Sequence, residues 1–242
     1  MEWFENWFET PYYHILYQNR NSSEAVGFIE NLIQTINLPQ GKKVLDLACG
    51  KGRHSVTLAH LGFDVTGLDI SKNSIEHARQ YESHNLKFHI HDMRLPFNER
   101  FDCIFNFFTS FGYFENLEDN LKVLQSVSTM LNDDGTFVLD YLNVHHVKNN
   151  LVLTEKKTID KIDFHISRTV KNGFIVKSIR VNDRQNNVNQ LYFEKVADFS
   201  KDDLSALLHK AGLTLSAVYG NYDLREFHPN SSPRLILVCK KI

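Results

Sequence analysis

Apolar positions along this chain keep two rhythms, and the architecture is expected to change where the rhythm changes. Up to residue 37 the spacing is helical. Val26, Ile29, Leu32, Ile33 and Ile36 share one face, Ser22 or Ser23 supplies a cap, and Pro39 and Gly41 end the run. Residues 44–48 are a short apolar run of the kind buried in a parallel sheet. Helical and strand patterns then alternate. Helices are expected at 53–61, behind Ser71, and at 117–131, where Leu117, Leu121, Leu124, Val127 and Leu131 share a face. Strands are expected at 62–70, 86–91, 101–108 and 136–142, the last entered through an Asp133-Asp134-Gly135 turn. Such alternation implies a parallel sheet with helices on both faces.

The helical rhythm disappears between residues 151 and 197, which read as four successive strands. Asn172-Gly173 is a strong hairpin signal between two of them, and residues 182–187 form a polar turn. An antiparallel insert of this size has few residues for its own core, so it must lean on the main body. It leaves from the fifth strand, which places it at the carboxyl edge of the sheet. Alternation returns with a capping-box-like start at Ser200 and Asp203, a stop at Gly212, and strands at 213–219 and 233–240. The chain therefore divides into a helical segment (1–37), a core (38–149), the insert (150–198) and a returning part of the core (199–242).

The chemistry concentrates where the first strand turns into its helix. Asp46 and Ala48 precede Gly50-Lys51-Gly52, and glycines let a backbone approach a ligand where a Cβ would collide. The following helix start offers N–H groups without intrahelical partners. A dinucleotide fold asks for a third glycine, but Arg53, His54 and Ser55 follow instead. Asp46 would repel a pyrophosphate and attract an α-ammonium group, directly or through water. The expected ligand thus carries a ribose and a cationic amino-acid part. Asp69 closes the second strand, where a carboxylate can accept both ribose hydroxyls, with Ile70 beside it. Asp92 ends the third strand and can accept from an adenine amino group. Met93 either packs on that ring or belongs to the core.

These residues resemble the class I S-adenosylmethionine-dependent methyltransferases. The family pattern of an acid before a glycine turn, an acid after the second strand and Asp after the third is matched by Asp46, Gly50, Gly52, Asp69 and Asp92. Ala48 stands where the first glycine is usual. The resemblance covers roughly 40–145 and the closing elements at 200–242. It implies a Rossmann-like α/β fold with seven mostly parallel strands, the last antiparallel, plus the small antiparallel insert as a cap. It implies S-adenosylmethionine as cofactor and a small-molecule acceptor with an N or O nucleophile. The Phe107-Phe108-Thr109-Ser110-Phe111-Gly112-Tyr113-Phe114 run looks like a bacterial subgroup similar to sugar N-methyltransferases, with Phe107 at the cofactor. In similar enzymes an N-terminal helix folds over the cofactor, which points to Tyr13 and Arg20, with Tyr17 on the same face. The insert would wall the acceptor pocket.

Methyl transfer from a sulfonium is an in-line displacement that needs alignment and dryness more than a triad. A base is required only if the nucleophile must lose a proton, and His145 and His146 are the candidates. DNA-base methyltransferases carry an Asp/Asn-Pro-Pro-aromatic turn after the fourth strand. Here Asn106-Phe107-Phe108-Thr109 lacks both prolines.

Composition narrows the partners. A net charge of −2 with no basic run argues against binding through nucleic-acid phosphates. No apolar stretch approaches the ~20 residues of a membrane span. The aromatic, acidic start does not read as a signal peptide, and Cys49, Cys103 and Cys239 are too scattered for a disulfide or zinc framework. A cytoplasmic monomer or homodimer is expected. A nicotinamide oxidoreductase and a non-catalytic cofactor-binding regulator are the rival readings.

Overall fold

The computed structural model describes residues 3–18 and 22–242. Five strands lie parallel: β1 (Lys43–Leu47), β2 (Asp64–Asp69), β3 (Leu86–Ile90), β4 (Phe101–Asn106) and β5 (Leu131–Leu142). The antiparallel insert follows as β6 (Thr154–Ile159), β7 (Ile162–Lys171), β8 (Phe174–Asp183) and β9 (Val188–Ala197). The chain then returns as β10 (Leu213–Tyr219) and β11 (Arg234–Lys241), with β11 antiparallel to both β5 and β10. The main sheet runs β10-β11-β5-β4-β1-β2-β3. This is the Rossmann-like order, and the strand order reverses between β1 and β4, where such sheets bind ligands.

Each face of the sheet is covered because its side chains alternate. Val44, Val65, Cys103 and Phe105 meet α3 (Ser22–Thr35), α4 (Arg53–His60) and α5 (Lys72–Ala78) through Phe28, Leu32, Leu58 and Ile75. Leu45, Leu47, Ile104 and Leu139 meet α6 (Leu117–Met130) and α8 (Lys201–Lys210) through Val123, Leu124, Leu204 and Leu208. The insert has a third core that is not its own. Phe164, Ile166, Ile179 and Val181 on its inner face pack against Trp7, Tyr12 and Leu16 of α1 (Trp3–Phe8) and α2 (Pro11–Leu16). Asn172 and Gly173 are both left-handed, as the tight hairpin requires.

Two local expectations are corrected. The fifth strand begins before the Asp133-Asp134-Gly135 turn, not after it. Leu131 is fully buried and pairs with Phe101 directly after α6, so the chain re-enters the sheet at once and the acids bulge outward. The pairing steps from Phe101↔Leu131 to Cys103↔Thr136 across that bulge. The His145-His146 segment is not a loop but part of α7 (Val144–Asn149), because Asn143 Oδ1 accepts the His145 N–H at 3.2 Å and caps a helix.

Phe88 of β3 fixes the approach of two glycines. A Cβ on Gly67 would lie 2.5 Å from Phe88 Cδ1 and 3.0 Å from Cys49 Sγ. Gly67→Ala is therefore expected to lower the unfolding free energy by about 1–3 kcal/mol. Urea titration measures this, and a loss under about 0.5 kcal/mol would mean that Phe88 yields to the methyl.

Candidate active site

The carboxyl edge of the sheet opens into a cavity of about 570 Å³, a size usual for small-molecule sites. Its floor is the turn after β1. Ala48, Gly50 and Gly52 all have left-handed backbones there, with φ of 63°, 55° and 81°. Alanine pays about 1 kcal/mol for that conformation, which glycine adopts freely. The two glycines differ in purpose. A Cβ on Gly52 would strike the Phe88 ring at 2.5 Å, so Gly52 serves packing. A Cβ on Gly50 would meet nothing within 4 Å, so Gly50 keeps the cavity floor clear. No side chain caps α4 behind Gly52.

Asp69 joins two turns. Its Oδ2 accepts the Gly50 N–H at 2.7 Å and its Oδ1 accepts the Ser71 N–H at 2.8 Å. Burial pushes this carboxyl up, and the two N–H groups oppose the shift. Asp69, Ile70, Asp92, Met93, Phe107 and Tyr13 all line the cavity, as do Ala48 and Gly50. Asp92 is held by Arg94, a residue outside the motif spacing. Arg94 donates from Nε to both of its oxygens at 3.1 and 3.0 Å, and from Nη2 at 2.6 Å. Burial alone would raise the Asp92 carboxyl, but Arg94 brings it below the usual carboxylate range.

Besides Gly52, which packs on Phe88 and is absent from the lining, three expected residues stand elsewhere. Asp46 is buried beneath the turn, not against the cavity. It shares with Val44 the sheet face toward α4, so its Oδ2 accepts the Ser55 Oγ–H at 2.6 Å. Burial pushes its carboxyl up to about 7; Ser55 opposes this and Asp69 adds to it. His145 and His146 do not line the cavity. His145 is exposed on α7, and the carbonyl and ring nitrogen of His146 face Asn150. Arg20 lies outside the described residues.

The roof also departs from expectation, because no residue of the insert appears in the cavity lining. Phe4, Phe8, Tyr13, His14 and Tyr17 form it instead, with Tyr113 and Phe114 opposite. Their rings pack edge to face or tilted: Phe8 is 4.8 Å from Tyr13, edge to face, and 5.6 Å from Tyr113, tilted at 44°. The insert acts through this roof. Tyr17 donates to Glu194 Oε1 at 2.6 Å and accepts from Lys177, while Trp7 Nε1 donates to Glu194 at 2.8 Å. His14 is pushed down to about 4 by burial, then by Lys51 and His77, so it is neutral at pH 7. Helical spacing signalled Tyr17, but nothing local signalled Phe4 or Phe8. Among the described residues, no group of three or more His, Cys, Asp or Glu is placed to hold a metal ion. No helix there is long and apolar enough to cross a membrane.

Comparison with known proteins gives consistent findings. A family model described as a methyltransferase domain matches residues 38–212. The glycine/sarcosine N-methyltransferase of Aphanothece halophytica is 27% identical over 98% of this chain and 87% of its own length. The ubiquinone biosynthesis O-methyltransferase of Haemophilus ducreyi is 36% identical over 47% of this chain, and the match spans about half, 51%, of that relative. An S-adenosylmethionine-dependent methyltransferase structure from Clostridium acetobutylicum superimposes with a TM-score of 0.78 at 20% identity, covering 95% of this chain and 96% of that one. The sugar N-methyltransferase KedS8 from Streptoalloteichus gives 0.74 at 16% identity, covering 95% and 92%.

Asp46 makes stability depend on pH. Folded, it keeps its proton up to about pH 7, whereas an unfolded Asp loses it near pH ~3.9. The native state binds more protons between those values, so stability falls as pH rises through that window, by up to about 4 kcal/mol from this group. Asp46→Asn should flatten that slope and make the variant the more stable form at pH 8. Urea midpoints at pH 5 and pH 8 test this, and an unchanged slope would contradict it.

Proposed function

The chain belongs to the class I S-adenosylmethionine-dependent methyltransferase family, and from that premise we propose that it transfers the cofactor's methyl group to a nitrogen atom of a small molecule held in the cavity. The left-handed Gly50, with open space where a Cβ would stand, suits close passage of a methionyl part. Asp69 still has acceptor capacity beyond its two backbone bonds, enough for ribose hydroxyls. Ile70 and Met93 offer apolar contact to adenine, and Asp92 an acceptor for its amino group. The turn lacks the third glycine that a dinucleotide's pyrophosphate asks for, which speaks against nicotinamide chemistry.

When bound, S-adenosylmethionine supplies a methyl group on a positively charged sulfur. The protein's task is then to align an acceptor and keep water away. The aromatic roof does both, and its ring faces favour positive charge. The observation that carries nitrogen over oxygen is the extent of the matches. The relative aligned along 98% of the chain, insert included, is by its name an N-methyltransferase. The O-methyltransferase relative aligns with less than half of it. Chemistry agrees: a neutral amine brings its own lone pair, whereas a hydroxyl needs a base to take its proton. The three cysteines are free and buried, which suits a reducing, cytoplasmic setting.

Calorimetry of the full chain with S-adenosylhomocysteine should give saturable binding, and NAD should give none. Asp69→Ala, checked for folding by its melting curve, should weaken that binding at least about tenfold through loss of charged hydrogen bonds. Absence of heat with S-adenosylhomocysteine would sink the reading.

A further inference from the structure

After β4 the backbone does something costly. Phe108 and Thr109 are consecutive non-glycine residues in the left-handed region, at φ 56° and 60°. A β-branched residue is especially ill suited to it. Such strain persists only where the surroundings over-determine it. Here the surroundings are four groups that do not line the cavity: Asp140, Thr109, Arg234 and Tyr222.

Asp140 is completely buried at the end of β5. Its Oδ2 accepts the Phe108 N–H at 2.9 Å, and its backbone carbonyl accepts the Thr109 N–H, also at 2.9 Å. Arg234, first residue of β11, closes the arrangement. Its Nε and Nη2 reach Asp140 Oδ1 at 2.8 and 2.7 Å, and Nη2 donates to Thr109 Oγ1 at 2.9 Å. Tyr222 adds its hydroxyl to Asp140 Oδ2 at 3.3 Å. In front of this cluster stand Phe107, Phe108 and Ser110, all lining the cavity. The Phe108 ring stacks on His54 at 4.9 Å and 9°, and Ser110 Oγ donates to the Phe107 carbonyl at 2.9 Å.

We propose that Arg234 and Asp140 are positioning residues: together they hold Phe108 and Thr109 in left-handed backbone and thereby set the Phe107–Phe108–Ser110 wall of the ligand cavity. The effect on ligand affinity rests on the reading above, that the cavity takes the cofactor. The hold on the backbone does not. A planar fork is needed because one side chain must meet a carboxylate and a threonine hydroxyl together. A purely structural ion pair would also be buried here. It would not need to grip both ends of a strained turn.

The test separates position from stability. Breaking the pair alone, as in Arg234→Met, leaves a buried charge and destabilises for that reason. The Asp140→Leu/Arg234→Met double variant removes both charges and should melt above the Arg234→Met single variant. The proposal expects this double variant to bind S-adenosylhomocysteine about tenfold more weakly, the scale of a lost charged hydrogen bond. It expects Thr109→Gly, added to the double variant, to recover most of that loss, because glycine takes the left-handed backbone without support. Affinity that follows melting temperature across the series, or a double variant that binds normally, overturns it. If the double variant does not fold, Thr109→Val serves: it keeps the ion pair and removes the Oγ1 contact, so affinity should fall severalfold, and unchanged affinity overturns the proposal. If the unmodified chain binds no S-adenosylhomocysteine, the function reading fails by itself. The positioning role is then read from hydrogen exchange at the Phe108 and Thr109 amides, which the double or Thr109→Val variant should accelerate. Unchanged protection overturns it.

Discussion

The site depends on one kind of bond: a strand-end carboxylate accepting a backbone N–H from the turn of the neighbouring strand. Asp69 at the end of β2 takes the Gly50 N–H from the turn after β1. Asp140 near the end of β5 takes the Phe108 N–H from the turn after β4. β1 and β4 are neighbours at the point where the strand order reverses, so these two turns flank the place where a parallel sheet opens to a ligand. Each turn is strained at a non-glycine residue, Ala48 in one and Phe108 with Thr109 in the other. Each is gripped by an acid on the strand next outward. Burying a carboxylate costs several kcal/mol, and bonds to N–H groups and to Arg234 offset it.

The roof follows a different rule. Helices α1 and α2 have six residues each, and helices so short do not hold in water by themselves. The insert lacks a closed core for the opposite reason, having one apolar face and nothing of its own to cover it. Each supplies what the other lacks. Trp7, Tyr12 and Leu16 fill the insert's inner face, while Glu194, Lys177 and Asp183 bind the tips of Trp7, Tyr17 and Tyr12. Trp3 Nε1, bonded to the Tyr113 carbonyl at 3.2 Å, ties the assembly back to the core. The insert therefore shapes the cavity from one layer behind. That is why its sequence reads as a sheet and not as a binding surface.

What was legible beforehand was what sequence neighbours decide. The glycine turn, the acids closing β2 and β3, and the alternation of strands and helices are all local patterns. Residues that lie far apart in sequence and meet in space were not legible. Arg234 reaches Asp140 and Thr109 from the far end of the chain, and Phe4 reaches the cavity through a helix packed on a later insert. The sequence carries the type of Asp46, but its direction follows from strand pleat, which turns it toward Ser55. His145 and His146 are candidates by chemistry alone. A cap at Asn143 winds them into a helix that does not reach the cavity.

The turn after β4 shows why such failures gather at the site. Local preference argues for a continued strand through residue 108, since Phe and Thr favour extended backbone. The structure overrides that preference at Phe108 and Thr109, with a buried carboxylate and a guanidinium to enforce it. A sequence free of functional demand would place glycine or asparagine there and dispense with the ion pair. Keeping an aromatic ring in the left-handed position has one structural consequence: it sets that ring flat against His54 on the cavity wall. The conflict between residue type and backbone is therefore itself a signal, readable only when sequence and geometry are compared position by position.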